Sequence, residues 1–585
     1  MKKYPACNYA SLSRLILCFA VFIITGVEVY GQSAPLDSAT LAAQPVFTSI
    51  RQASQNPEKV YRLSLDGVIA DVDQNAETEM PKFKNLQELT ISGKRFKGDT
   101  LPGFITELPN LRTLALFYTS FHFLPSSIEK LQKLENLYIR GSLYSLPEQI
   151  GQLKNLTSIH ILESAIAVLP ESIGNLKKLK NLLLYYSPIS SIPASIGGAF
   201  NLKILWISGT KITSIPVETG FLAKLEKLRI ENNPLLSGLP AELFYLGNLK
   251  ELVISGNEKV LELPSDFSKL KNLHRMEISY TSLGVLPAMT GMKSLNYLKL
   301  QSNQNLLSLP VSMSDLEALE ELVLIDCRFQ ALPKSMKKLK SLSKVSLQQL
   351  NMLDWESSMN SLSQCKSLKE LNINRNEMTA FPKSLSKLSK LEKLIFISGY
   401  NSKTVEQFNW EESIKTLSAL GNLKTLDISE NKIKTLPSSF MLLKKLDSLQ
   451  LKHNDFSAGT VSFDYIKNLD LVYLGLEGCG IKKISRNITQ LQELRALDLS
   501  RNFIDSIPDH IDMLKALTVL ELSTESVHVL DRIIADMTYL QYISPSLYHL
   551  SNLRRLNLSG NPYLKETKED IRKKLPAGCV LEYDH

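Results

Sequence analysis

The sequence has 585 residues, of which 44% are hydrophobic and 22% charged, a balance typical of a folded protein and not of a disordered one. Its formal net charge is +8, and there is no block of like charges of the kind that marks an interaction tail. An excess this small, spread over so long a chain, does not indicate a nucleic-acid-binding protein.

The amino terminus has the pattern of a targeting segment. Lys2, Lys3 and Arg14 precede an apolar run from Leu15 to Ile24, and the residues just before Gln32 fit a cleavage site. The apolar run has roughly half the length that a transmembrane helix needs. We therefore predict that residues 1–31 are a signal peptide, with an uncleaved membrane anchor as the alternative.

Internal repeats organise the rest of the chain. The pattern L-x-x-L-x-L recurs with a spacing near 23 residues, and a degenerate copy at Val60 brings the number of copies to 21. Repeats of this length stack on one another, because a single repeat cannot bury its own apolar face. The other copies begin at Leu86, Leu111, Leu134, Leu156, Leu179, Leu202, Leu225, Leu249, Leu273, Leu295, Leu319, Leu342, Leu368, Leu391, Leu423, Leu446, Leu471, Leu494, Leu517 and Leu553.

Each part of the repeat predicts a local structure. In the copy at Leu134, alternation points Leu137 and Ile139 inward, as in a short strand. The return half carries L-P-x-x-I-x-x-L, in which we expect Pro147 at the first position of a short helical turn. Ile150 then faces the core.

The ninth position of the repeat is often asparagine, as at Asn376, Asn454 and Asn502. An amide buried at this corner can satisfy the backbone groups of the loop. Cys327 and Cys479 occupy the same position. We expect them to be buried thiols, with metal binding and disulfide pairing as the alternatives.

These repeats resemble the leucine-rich-repeat family, in its 23-residue L-P-x-x-I-x-x-L class. That class includes Scribble- and Erbin-like scaffolds, plant Ras-group-related proteins and bacterial exported repeat proteins. The resemblance covers residue 60 to about residue 560. It implies an α/β solenoid, a horseshoe with about 21 parallel strands on the concave face and short helical or 3-10 turns on the convex face. For function it implies protein recognition along the concave face.

The ends and three long repeats complete the predicted organisation. Residues 32–59 are predicted to be a linker and an amino-terminal capping helix, residues 60–558 the repeats, and residues 559–585 a carboxy-terminal cap with a helix and a last strand. The repeats at Leu342, Leu391 and Leu517 are overlong, at 26, 32 and 36 residues, and we expect an added helix between Thr404 and Ser418. The count of repeats within 517–552 stays open.

Catalytic signatures are missing from the sequence. It has no phosphate-binding loop, no nucleophile elbow, no H-E-x-x-H and no C-x-x-C. Its eight histidines are scattered, without metal-ligand spacing. We therefore expect no enzyme activity, no cofactor and no metal.

The candidate binding site lies at the fifth and seventh repeat positions, which point away from the core. In consecutive repeats these positions hold mostly aromatic and apolar side chains, whereas further along they turn polar, as at Asn372 and Asp427. Exposed apolar patches usually have a partner, and Tyr, Trp and Arg are common hot spots; the alternative is that the ladder only packs on itself. The predicted binding residues, with two eighth-position tyrosines, are Phe117, Tyr118, Tyr138, Arg140, His160, Leu162, Leu183, Tyr185, Tyr186 and Trp206.

These observations predict an exported protein-recognition module, secreted or in a bacterial cell envelope. The expected partner is a protein, with no nucleic acid and with membrane contact only through an uncleaved signal segment. A carbohydrate-binding or adhesion protein is one alternative, in which Tyr138, Tyr185 and Trp206 would stack on a glycan. A cytoplasmic scaffold of the Ras-pathway repeat type is the other.

Overall fold

The computed structural model describes residues 36–66, 75–93, 96, 98–399, 404–457, 463–524 and 539–584. The predicted signal peptide lies outside these ranges. The chain forms two compact units, which meet in sequence between Ile212 and Thr213. All ten candidate binding residues belong to the first unit.

Short parallel strands form the frame of each unit. Within a unit, each strand pairs in parallel with the next strand of the chain, and the pairing keeps one register throughout except between β5 and β6, where it shifts by one residue after Arg140. The strands of the first unit are β1 Val46–Phe47, β2 Arg62–Asp66, β3 Glu88–Ser92, β4 Thr113–Phe117, β5 Asn136–Gly141, β6 Ser158–Ser164, β7 Asn181–Tyr185 and β8 Ile204–Ser208. Those of the second unit are β9 Lys227–Glu231, β10 Glu251–Ser255, β11 Arg275–Ser279, β12 Tyr297–Gln301, β13 Glu321–Ile325, β14 Lys344–Gln348, β15 Glu370–Asn372, β16 Lys393–Ile395, β17 Thr425–Asp427, β18 Ser448–Gln450, β19 Tyr473–Gly475, β20 Ala496–Asp498, β21 Val519–Glu521, β22 Arg555–Asn557 and β23 Val580–Glu582.

The predicted fold class is confirmed. Every one of the 21 repeat starts leads into a strand, β2 to β22, and the described ranges contain 23 strands because each end adds one. The strand leucines form the core: Leu137 and Leu182 have no exposed surface. The fold is therefore an α/β leucine-rich-repeat solenoid in which parallel strands alternate with 3-10 turns.

Short 3-10 turns occupy the return half of most repeats. In the first unit they are Pro57–Lys59, Met80–Lys82, Gly103–Glu107, Ser126–Lys130, Glu148–Gln152, Glu171–Asn175 and Ala194–Gly198. In the second unit they are Val217–Phe221, Ala241–Tyr245, Val311–Asp315, Lys334–Lys338, Lys383–Lys387, Val405–Gln407, Ser438–Leu442, Phe463–Tyr465, Arg486–Gln490, Ile511–Met513 and Pro545–His549.

The proline of the return half stands one residue earlier than predicted. Pro147 is extended, with φ −73° and ψ 154°, and precedes the turn as its cap residue. Its carbonyl accepts the first bond of the turn, from the amide of Ile150 at 3.0 Å. A proline fits there because the turn needs its oxygen and not its missing N–H. Ile150 is fully buried, as expected.

The ninth-position amide joins successive repeats. The side-chain amide of Asn454 donates to the carbonyls of Ile428 and Leu451 at 3.0 and 2.8 Å, and its oxygen accepts the amide of Asn431 at 3.0 Å. Cys479 is buried at the same corner and donates to the Leu451 carbonyl at 3.1 Å. The thiol thus replaces part of the asparagine's role.

Helices lie at the ends and in two long repeats. Part of the segment predicted as a linker is folded, because Asp37 caps helix α1 (Ser38–Ala42) and β1 pairs with β2. The added helix expected between Thr404 and Ser418 is present as α5 (Trp410–Leu417), and the repeat at Leu342 holds a further helix, α4 (Trp355–Leu362). The number of repeats within residues 517–552, which the sequence leaves open, depends partly on residues 525–538, and these lie outside the described ranges. The helices are α1 Ser38–Ala42, α2 Ile50–Ala53, α3 Ala76–Glu79, α4 Trp355–Leu362, α5 Trp410–Leu417 and α6 Lys568–Lys574.

Candidate functional site

The register of β4 to β8 brings the candidate residues together on the outward face of the sheet, the face opposite the buried leucines. Two side-chain rows cross the strands there. The fifth-position row is Ala115, Tyr138, His160, Leu183 and Trp206, and the seventh-position row is Phe117, Arg140, Leu162, Tyr185 and Ser208. We call the ten predicted binding residues the aromatic patch.

An ion pair lies in the middle of the aromatic patch. Arg140 donates to both carboxylate oxygens of Glu163, from Nη2 at 2.9 and 2.8 Å and from Nε at 3.1 Å. The guanidinium also lies 4.8 Å from the ring centroid of Tyr118, whose hydroxyl donates to Glu163 at 3.3 Å. A bidentate pair of this kind fixes the arginine geometrically and neutralises its charge.

Tyr138 and His160 form a second group, from neighbouring strands. Their rings meet edge to face with centroids 4.8 Å apart, and His160 Nε2 shares a 2.9 Å hydrogen bond with the hydroxyl of Ser158. Burial disfavours the charged imidazole and lowers the pKa of His160 to about 4. Burial, with the nearby charge of Glu88, raises the pKa of Tyr138. Both side chains are therefore uncharged at neutral pH.

Tyr185 links a third group. Its ring meets Tyr186 at 4.6 Å and Trp206 at 5.5 Å, with interplanar angles of 89° and 88°. Edge-to-face contacts of this kind are favourable beyond the area that they bury. Tyr185 thus packs against both of the other rings. This packing is part of what the self-packing alternative predicts.

Tyr118 and Tyr186 are the most exposed members of the aromatic patch, each with 51% of its surface exposed. Both have left-handed backbones, with φ 53° and 46°. In the next repeat the same position is Gly141 or Gly209, where a side chain would meet the tyrosine before it. The tyrosine and the following glycine therefore form a unit that spans two repeats.

The outward orientation predicted for the fifth and seventh positions agrees with the burial of these side chains. The eight predicted binding residues in the two rows are half-buried, because neighbouring repeats cover part of each side chain, whereas Ala115 and Ser208 are buried. Sequence reasoning missed Glu163, which lies at the eighth position beside Arg140. An acidic residue one repeat after an outward arginine was the signal that could have identified it.

In the second unit the same positions hold charged networks. Lys452 lies between Glu477 at 3.0 Å and Asp498 at 2.8 Å, and Arg501 pairs with Glu477 at 2.9 Å. A groove of 350 Å³ lies at the starts of β14 to β17, where Lys369 pairs with Glu392 and Lys393 pairs with Glu370. The charges of the first network compensate one another, whereas the groove has four lysines against two glutamates. The residues that line the groove are Ser343, Lys344, Lys369, Glu370, Glu392, Lys393, Lys424 and Thr425.

The described ranges hold neither a candidate metal site nor a candidate membrane span. No group of three or more His, Cys, Asp or Glu side chains in those ranges is placed to hold a metal ion. No described helix is both long enough and apolar enough to cross a bilayer.

Comparisons with known proteins match the repeats to family models. The model for a leucine-rich repeat region matches residues 68–194, and a second leucine-rich repeat model matches residues 413–456. Comparison with curated protein sequences gave no significant match.

Solved structures of similar fold include three repeat proteins. One is a leucine-rich-repeat protein of Leptospira interrogans, 23% identical, with 92% of this chain and 100% of that chain covered and a TM-score of 0.33. Another is the plant peptide hormone receptor RGFR1 in complex with RGF2, 20% identical, with coverage of 93% and 94% and a TM-score of 0.47. The third is the ectodomain of the receptor kinase GASSHO1/SCHENGEN3 from Arabidopsis thaliana in complex with CASPARIAN STRIP INTEGRITY FACTOR 2, 20% identical, with coverage of 86% and 66% and a TM-score of 0.40.

Family membership rests on the repeats and on the two family models, not on these superpositions. The L-x-x-L-x-L copies, the parallel strand that each begins and the buried ninth-position amides all agree with the matched models. The chain belongs to the leucine-rich-repeat family.

Proposed function

We propose that this chain is a binding protein without catalytic activity, and that it recognises another protein through the aromatic patch. The observation that carries the proposal is the pair of half-exposed tyrosines, Tyr118 and Tyr186, beside half-buried aromatic neighbours. Soluble proteins seldom expose contiguous apolar surface without a partner, and Tyr, Trp and Arg supply most interface hot spots.

The left-handed backbone of the two tyrosines, with φ 53° and 46°, is a general feature of the repeat. The same position is also left-handed at Glu163, Tyr280 and Arg375, all of which have a β-carbon. The conformation therefore places these side chains at the rim of the outward face, and the proposal rests on their exposure and on the aromatic neighbours beside them.

The carbohydrate alternative is less well supported by the geometry. A sugar ring stacks on an open aromatic face, and Tyr138, Tyr185 and Trp206 were the residues expected to provide one. Tyr138 meets His160 edge to face, and Tyr185 meets Trp206 at 88°. These three rings form no common flat platform.

We also propose that the protein is exported, from the targeting pattern of residues 1–31. Amino-terminal sequencing of the protein purified from its native source tests this. A chain that begins at Gln32 supports export, whereas an intact Met1 in a cytoplasmic fraction favours the scaffold alternative.

The binding proposal is tested with a random peptide display library and a glycan array. The test variant is Tyr118→Asn/Tyr186→Asn, because asparagine tolerates the left-handed backbone. The matched control is Tyr280→Asn, at the same repeat position with φ 52° and 48% exposure but outside the aromatic patch.

We expect peptides selected on the wild type to lose roughly 1000-fold in affinity on the double variant and to keep their affinity on the control, since each of two hot-spot residues contributes about 2 kcal/mol. Selected peptides that bind all three proteins equally would overturn the assignment. Glycans that bind in a manner dependent on the two tyrosines would replace it with the carbohydrate alternative.

A further inference from the structure

The charges within the aromatic patch are balanced. Arg140 and Glu163 neutralise each other through a bidentate pair, and the lowered pKa of His160 keeps that ring neutral. A partner charge buried here would meet no counter-ion, and burial of an unpaired charge is strongly unfavourable. The patch therefore complements an uncharged surface.

The strands themselves offer no free hydrogen-bonding edge at this site. Each of β5, β6 and β7 pairs with a strand on both sides, so its backbone groups are used within the sheet. A partner cannot add a strand to the sheet between β4 and β8. Recognition at the aromatic patch must depend on side chains.

The distance between the two exposed tyrosines indicates how long a segment of the partner must be to contact both. Tyr118 follows β4 and Tyr186 follows β7, three strand positions away. Neighbouring strands lie about 4.8 Å apart, so these two positions lie about 14 Å apart. Between the two tyrosines the same repeat position holds Gly141, which has no side chain, and Glu163, whose charge is paired with Arg140, so this surface carries no unpaired charge. An extended chain advances about 13 Å in four residues.

From these relationships, and resting on the proposed function, we infer that the partner contributes an extended, uncharged segment that crosses β4 to β7. Two large apolar or aromatic side chains of that segment, four residues apart, contact Tyr118 and Tyr186. Small or uncharged polar residues lie between them, over the Arg140–Glu163 pair.

Synthetic peptides test the inference with defined probes. Each peptide has nine residues, Tyr or Leu at two anchor positions, and Ser, Thr, Ala or Gln elsewhere. The anchor spacing is two, four or six residues, and a matched series carries one Glu or one Lys between the anchors. Binding to the full chain is measured by fluorescence anisotropy at about 0.05 M and about 0.5 M NaCl, a range over which charge screening changes strongly.

We expect the peptides with a spacing of four residues to bind most tightly, and their Kd to change less than about twofold between the two salt concentrations. A central Glu or Lys should weaken binding about tenfold or more, because the charge is buried unpaired. Binding should fall on Tyr118→Asn/Tyr186→Asn and persist on Tyr280→Asn.

Failure of the inference can be distinguished from failure of the proposed function. Tightest binding at another spacing, a preference for charged peptides, or no binding below about 1 mM overturns the inference. If display-selected peptides still depend on the two tyrosines, the proposed function stands without it. If neither set depends on them, both fail.

Discussion

The ring of Tyr186 lies over the α-carbon of Gly209 in the following repeat. A β-carbon at residue 209 would lie 2.8 Å from Cε1 of Tyr186, closer than van der Waals contact allows. Three repeats earlier, a β-carbon at Gly141 would lie 2.9 Å from the α-carbon of Tyr118. The two glycines thus make room for different parts of a tyrosine, a side chain in one case and backbone in the other.

This difference predicts unequal effects of two alanine substitutions. At Gly209 the φ of +64° is tolerated by other residues at a cost of about 1 kcal/mol, and the Tyr186 ring can rotate away. At Gly141 the φ of +119° is open only to glycine, and the Tyr118 backbone cannot move aside. We expect Gly141→Ala to destabilise the chain by about 3 kcal/mol and Gly209→Ala by less, as measured by urea unfolding. The reverse order would contradict the assigned contacts.

The repeat spacing predicts the strands and their register well, because the inward leucines of one strand must align with the inward leucines of the neighbouring strands to be buried. Leu114, Leu137 and Ile159 are paired across neighbouring strands for this reason. The register then places Tyr138 beside His160 without further information.

Repeat spacing does not predict the side-chain contacts within the site, and it does not predict that the amino-terminal segment is folded. The Arg140–Glu163 pair depends on a left-handed backbone at Glu163, with φ 44°, which directs the side chain sideways. Strand β1 has two residues and no alternating pattern of its own. It is held by pairing with β2 and by Arg62, which donates to the carbonyl of Ala42 at 3.1 Å.

His160 predicts a pH dependence of stability. Its pKa is lowered by burial to about 4 from 6.5, so between these values the unfolded chain binds a proton that the folded chain excludes. The contribution of His160 to the free energy of unfolding is fully present above pH 6.5. It is lost as the pH falls toward 4, by at most about 3 kcal/mol.

The imidazole titration followed by NMR should have a midpoint near 4. His160→Phe keeps an aromatic ring beside Tyr138 and should flatten the urea-unfolding profile over this pH range. A midpoint near the ordinary value of 6.5 would show that the ring is solvated.

The cysteines predict a pattern of thiol reactivity. Burial raises the pKa of Cys365 to about 11 and those of Cys327 and Cys479 to about 12, so all three stay protonated and shielded at neutral pH. Cys579 is less buried. In the folded chain prepared without residues 1–31, which contain Cys7 and Cys18, we expect Ellman's reagent to modify Cys579 first and the other three thiols only after denaturation. Fast modification of Cys479 in the folded state would contradict its place at the repeat corner.

Leu137→Ala tests how far a core defect spreads. Leu137 has no exposed surface and pairs with Leu114 on one side and Ile159 on the other. Loss of such a side chain costs about 2–5 kcal/mol, through lost burial and a residual cavity. Because stacked repeats are coupled mainly to their neighbours, hydrogen exchange should accelerate in β4, β5 and β6 and much less in β2. Asn136→Ala, on the outward face of the same strand, is the control: it removes a 3.2 Å hydrogen bond to Thr113 but leaves no core cavity, and it should change stability by about 1 kcal/mol. Equal acceleration throughout the first unit would show that these repeats unfold as one cooperative block, and nearest-neighbour coupling would then be wrong for this chain.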